Sequence, residues 1–133
     1  MIIAMSAMVF LTMIVGLITL TTRIRSARTG AVNPAYFKLM QGEAPEAVLR
    51  TSRAFANQFE IPVLFYLVTT LSLFLMPNNA LNFYLAWLFV FSRYVHAWIH
   101  LTYNHVIHRL LAFLTGFICV MVMWVNLLMH NFF

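Results

Sequence analysis

Arg53, Asn57 and Glu60 stand at i, i+4 and i+7 in "RTSRAFANQFE" and so share one stripe of a helix. A second stripe lies in "RYVHAWIH", where Arg93, His96 and His100 are spaced i, i+3 and i+7. Guanidinium groups fork carboxylates through parallel N–H donors, and a carboxylate accepts from an ammonium. Together these side chains suit a small ligand that carries several charges. Both stripes fall inside or beside apolar runs, where ionisable groups are rare, turn inward and pair or act. An ion pair between Glu60 and Arg93 that glues two helices is the plainer reading. It leaves Arg50, Arg53, Arg109 and the group Arg23, Arg25 and Arg28 without a role. Some of these are interfacial arginines that snorkel and mark topology. A cationic pocket sunk partly in one leaflet, taking a multiply charged anion, accounts for the rest.

The elements that would hold such a pocket are membrane helices. The chain has 133 residues, of which 63% are hydrophobic and 8% charged, against about 25% charged in soluble domains. Four apolar runs span residues 1–22, 55–76, 81–103 and 106–133 of a single domain. Each meets the ~20 residues that cross a hydrocarbon core of ~30 Å as a helix. Strands would leave backbone groups unpaired in lipid. The first run lacks a basic leader and an A-x-A site, so it is expected to be a retained span. The lone cysteine, Cys119, excludes an internal disulfide and reads as a buried thiol. The formal net charge of +5 is concentrated in one connection and near helix ends. That pattern points to membrane orientation and an anionic ligand, not to nucleic acid.

Residues 23–54 form the single long polar connection, with Pro45 acceptable in the first turn of the helix that leads into the second span. "MPNNA" and "TYNHVIHR" are short links, which make successive helices antiparallel neighbours in an up-down four-helix bundle. Six of the Lys and Arg residues fall between 23 and 53, and Arg109 lies at the link after the third span. By the positive-inside rule this side is cytoplasmic and both termini face outward, in a multi-pass protein of the inner (plasma) membrane. At 1.5 Å per residue, Glu60 lies ~9 Å deep, His96 ~10 Å and Arg93 ~15 Å. The antiparallel stripes can therefore be brought level, with Arg53 near His100 and Tyr103. Pro62 lacks an amide hydrogen and is expected to bend the second helix beside the polar stripe.

Other classes remain open at this stage. "HAWIH" and "HVIH" have ligand-like spacing for a metal, although Glu60 is the sole acid accompanying them within the spans. A small proton-coupled exporter also fits four spans with one membrane glutamate, but an arginine-rich pocket repels cationic cargo.

"RAFANQFEIP" resembles the R-A-x-x-N-x-x-E signature in the second helix of the MAPEG family, the membrane-associated proteins of eicosanoid and glutathione metabolism. "RYVHAWIH" resembles the arginine-and-histidine stretch of that family's third helix. The likeness, to a bacterial-type member, covers almost the whole chain. It implies an all-α homotrimer with glutathione as co-substrate, bound between subunits near the cytoplasmic side. By the resemblance Arg53, Asn57, Glu60, Arg93 and His96 contact glutathione, and Arg23 or Arg25 stands where a first-helix arginine helps. A thiol of pKa ~8.5 needs a nearby cation to become the thiolate nucleophile; Arg109 is the candidate, with Tyr103 or His100 as hydrogen-bond donor. The implied activity is that of a glutathione transferase or peroxidase acting on a hydrophobic small molecule that arrives from membrane lipid. The sequence departs from the pattern at His100, where eicosanoid-type members place a tyrosine. It departs again at Leu110, a serine in the prostaglandin-forming branch, and at Phe113, another family tyrosine. A non-catalytic scaffold that keeps the fold is the alternative these departures raise.

Overall fold

The computed structural model describes residues 1–132, with side chains to Asn131, and all the regular secondary structure in that range is helical. Its elements are α1 (Ile2–Arg28), α2 (Tyr36–Leu39), α3 (Glu46–Ala56), a 3-10 turn (Asn57–Phe59), α4 (Ile61–Leu75), α5 (Ala80–Leu101) and α6 (Val106–Phe132). The last residue of the expected fourth span lies outside the described residues. Two expected boundaries shift. Helix α1 runs on to Arg28, so Arg23, Arg25 and Arg28 are helical and not part of a loop. Thr21, Thr22 and Thr29 return hydrogen bonds to carbonyls of the preceding turn, which carries the helix through the polar stretch. The connection is thereby shortened to the segment between Arg28 and Glu46, with α2 inside it and Pro45 capping α3.

The second expected span is not one continuous helix. Its regular turns stop at Ala56, and Glu60 takes φ −95° and ψ −103° before α4 begins with Pro62 in its first turn. The proline ring would collide with the Gln58 carbonyl of a straight helix and offers no amide hydrogen to it. The chain therefore breaks just before Pro62, where the bend was expected. Asn57 Nδ2 donates to the Arg53 carbonyl at 2.9 Å and Gln58 Nε2 to the Ala54 carbonyl at 3.3 Å, so side chains bond back to the last turn of α3 at the break.

Helices α5 and α6 make the most extensive pairing, and α4 and α1 flank them. Close approach is possible because Gly116 faces Ser92: a Cβ there would lie 2.7 Å from Ser92 Oγ and 3.4 Å from the Phe89 ring. Phe89 in turn stacks on Phe65 of α4, with ring centroids 4.2 Å apart. Towards the α4–α5 turn, Asn126 Nδ2 donates to Asn82 Oδ1 (3.0 Å) and Asn79 Oδ1 (3.1 Å), while Asn82 Nδ2 donates to Ser72 Oγ at 2.8 Å. This amide network joins α4, α5 and α6, and Asn79 also caps α5 through the Asn82 amide. Helix α1 is tied on by Tyr94 Oη donating to the Ala7 carbonyl (2.9 Å) and by Thr19 Oγ1 donating to the Thr51 carbonyl (3.0 Å). Val32, Tyr36 and Val48 make a small second core under the connection.

The outer surface is apolar, with Phe74 79%, Tyr84 70% and Phe91 67% exposed, while Arg93 is 1% exposed. That inversion of a soluble protein fits lipid as the surrounding medium. By length and composition three helical stretches can cross a membrane: Ile2–Arg28, Glu46–Leu75 and Val106–Asn131. Helix α5 falls outside this set because its inward face carries Arg93, His96 and His100.

Candidate functional site

A cavity of about 340 Å³ opens where the α3–α4 break faces the ends of α5 and α6. Arg53, Asn57 and Glu60 line it from one side, His96 and His100 from α5, and Arg109 from α6. The two stripes do converge, although not through the straight helix that the spacing implied. The break is what turns Glu60, exposed at its edge, towards the space. Ala56, Val106, Leu110 and Phe113 supply the apolar wall. Leu110 and Phe113 make the α6 side of this wall hydrocarbon, without a hydroxyl.

Arg93 stands behind the wall. Its Nη2 donates to the Asn57 carbonyl at 2.9 Å, and its guanidinium carbon lies 6.0 Å from the centre of the Phe113 ring. Nε and Nη1 are buried without a protein partner. The plainer reading of the sequence, an ion pair between Arg93 and Glu60, is therefore not what forms. The carbonyl freed by the helix break takes the place of the carboxylate.

His96 Nδ1 lies 3.1 Å from the Arg109 carbonyl. A carbonyl can only accept, so Nδ1 carries the hydrogen and Nε2 is left as a bare acceptor. That Nε2 is buried and unpaired, as is His100 Nδ1. Arg109 is held at its other end, where Nη1 donates to Asn104 Oδ1 at 2.8 Å. Arg50 Nη1 donates to the Thr102 carbonyl at 3.0 Å, which fixes α3 to the same turn. Sequence reasoning passed over Asn104; the available signal was an asparagine in a short helix link, a residue that tolerates the left-handed conformation it adopts, φ +48°.

Three of the expected residues are elsewhere. Tyr103 is exposed, and its Oη lies 3.1 Å from His108 Nδ1. Arg23 donates to Ser52 Oγ at 3.0 Å and lies over the Phe37 ring. Arg25 lines a separate groove with Arg28 on α1. Among the described residues no group of three or more His, Cys, Asp or Glu is arranged to hold a metal ion.

The donor set suits a zwitterionic peptide. Arg53 and Arg109 can fork carboxylates, and Glu60 can accept from an ammonium. The unpaired His96 Nε2 can accept from an ammonium or a thiol, which an anion alone would leave without a partner. The volume falls within the ~300–1,000 Å³ range of small-ligand pockets. Glutathione, with two carboxylates, an ammonium and a thiol, fits that set.

The sequence model of the MAPEG family matches residues 1–129, and the chain belongs to this family. With its three membrane-capable helices, it is an integral membrane protein. Comparisons with curated proteins and with solved structures gave no match.

Proposed function

We propose that the protein binds glutathione in the cavity between the α3–α4 break, α5 and α6 and uses it as a glutathione transferase or peroxidase on a hydrophobic electrophile. What carries the reading is the convergence of Arg53, Asn57, Glu60, His96, His100 and Arg109 on one partly apolar space. Arg53 holds a carboxylate and Glu60 the ammonium. Arg109 lies beside the sulfur, where a fixed positive charge favours thiolate over thiol. His100 stands where a donor to the sulfur is needed, while Leu110 and Phe113 form an apolar approach for a co-substrate arriving laterally from lipid.

In this reading all four long helical segments cross the bilayer, α5 with its polar face turned inward, and the basic ends lie on the cytoplasmic side of the inner (plasma) membrane. Both termini then lie on the opposite side. The active form is a homotrimer, in which Arg23 or Arg25 of one subunit comes within reach of its neighbour's cavity. The test is calorimetric titration of glutathione into the detergent-solubilised protein, with Arg53→Ala and Glu60→Ala beside it. Binding that both substitutions weaken is the expected result, and binding that neither affects places the ligand elsewhere.

One observation favours a second reading. Tyr103 is turned to His108, and hydrocarbon occupies the family's serine and tyrosine positions on α6, so glutathione could be held without turnover. Conjugation of 1-chloro-2,4-dinitrobenzene by the native protein, lost in Arg109→Ala, supports the enzyme. Glutathione binding with no conjugation supports the scaffold.

A further inference from the structure

The α5–α6 turn is built more firmly than a link of its length requires. Thr102 ends α5 with its amide bonded to the Trp98 carbonyl at 3.0 Å and its hydroxyl to the same atom at 2.7 Å. The Asn104 amide reaches back to the Ile99 carbonyl at 2.8 Å. Arg50 clasps the Thr102 carbonyl from α3. On this fixed turn Asn104 holds φ +48°, which an asparagine tolerates better than most residues with a side chain. Its Oδ1 is thus aimed across the first turn of α6 at Arg109 Nη1, 2.8 Å away. Arg109 is half-buried and has no other side-chain hydrogen bond among the described residues. Its backbone carbonyl is meanwhile held by His96. The charge that lines the cavity is therefore fixed at both ends, and the guanidinium end depends on one side-chain carbonyl.

We infer that Asn104 is a positioning residue: by anchoring Nη1 of Arg109 it keeps the guanidinium directed into the cavity, where it sets the acidity of a bound thiol. The inference rests on the reading of Arg109 as the cation beside glutathione sulfur. An arginine side chain has several soft torsions, and without an anchor it spends time away from the sulfur. Electrostatic help falls with that time and with distance. The cavity holds competing influences, and they bound the effect. Arg53 and the α5 histidines face the same space, Arg93 stands behind Phe113, and Glu60 opposes all of them from the edge. These groups stay where they are when Asn104 is altered, so the part that changes is the share contributed by Arg109.

Asn104→Gly is the informative substitution, because glycine adopts a positive φ without strain and removes the anchor without burdening the turn. The readout is the ultraviolet absorbance of thiolate during a pH titration of glutathione bound to the detergent-solubilised protein, which needs no turnover. Asn104→Gly is expected to raise the apparent pKa of the bound thiol by about half a unit, since the guanidinium then spends less of its time beside the sulfur. Affinity at low pH should change less than twofold. On an Arg109→Ala background the same substitution should produce no further shift, because the anchored group is gone. An equal shift with and without Arg109 would overturn the inference, as would no shift in Asn104→Gly while glutathione still binds; the broader functional reading survives both results. Absence of glutathione binding by the native protein would remove that reading and this inference together.

Discussion

At the scale of single residues, Arg93 separates stability from binding. Its three guanidinium nitrogens share one hydrogen bond, to the Asn57 carbonyl, and leave Nε and Nη1 buried and unpaired. Buried donors without partners are costly, at about 1–3 kcal/mol each, so a well-packed apolar replacement can be close to neutral for folding. Arg93→Met is accordingly expected to shift the ligand-free unfolding midpoint by less than about 3 °C, equivalent to about 1 kcal/mol at most. Without its clasp on Asn57 the broken turn is free to move, and glutathione affinity should fall at least roughly fivefold, about 1 kcal/mol. Thermal unfolding and titration of the same preparation check both halves. A large loss of stability with unchanged affinity would contradict this division of roles. The candidate site was legible to the extent that residue type and periodicity revealed it. Arg53, Asn57, Glu60, His96 and His100 read as two stripes, and Arg109 as a cation beside them. Tyr103 lies away from the cavity because two residues past the end of α5 the side-chain direction no longer follows the helical period. Asn104 was passed over because the aim of its side chain depends on a backbone conformation, φ +48°, that the residue type permits but does not fix.

At the scale of elements, two features set the geometry: the break in the second span and the close contact of α5 with α6. Pro62 was readable as a bend, but the sequence did not show that regular turns would stop six residues earlier, at Ala56. That follows from the Gln58 carbonyl, which a straight helix would press against the proline ring. Pro62→Ala is expected to let the turns join, raise the helical circular-dichroism signal slightly and weaken glutathione binding severalfold by rotating Glu60 away from the cavity. Unchanged affinity would mean that the break does not position Glu60. The α5–α6 contact offers a cleaner energetic test. A methyl at residue 116 would lie 2.7 Å from Ser92 Oγ, inside contact distance. Gly116→Ala should therefore cost about 1–3 kcal/mol, as overpacked cores do. Adding Ser92→Ala removes the colliding oxygen and should restore most of the loss. Without recovery in the double variant, the helix contact is not the source of the cost. Asn126 belongs to the same scale, since Asn126→Leu would leave Asn82 Oδ1 without its donor at 0% exposure. A cost of about 1–3 kcal/mol is expected for the unpaired acceptor.

At the scale of the whole molecule, composition carried the most information. A chain that is 63% hydrophobic and 8% charged has to place its few charges deliberately, and it collects most of them at one end of its helices. The helical class follows from that. So does an outer surface of phenylalanine, leucine and tyrosine around a buried arginine. Less legible was the status of α5. Its apolar outer face and polar inner face average to a modest hydropathy, although in a packed assembly the two faces never meet the same medium. The surplus of cations over Glu60 at the cavity is the property on which the functional account depends, because it selects an anionic ligand over a cationic one. The most direct measurement is the unfolding midpoint of the detergent-solubilised protein across a glutathione titration. At a hundredfold excess over Kd the account predicts about 2.7 kcal/mol of stabilisation, seen as a rise of several degrees that is lost in Arg53→Ala. A midpoint that stays flat across the titration would contradict it.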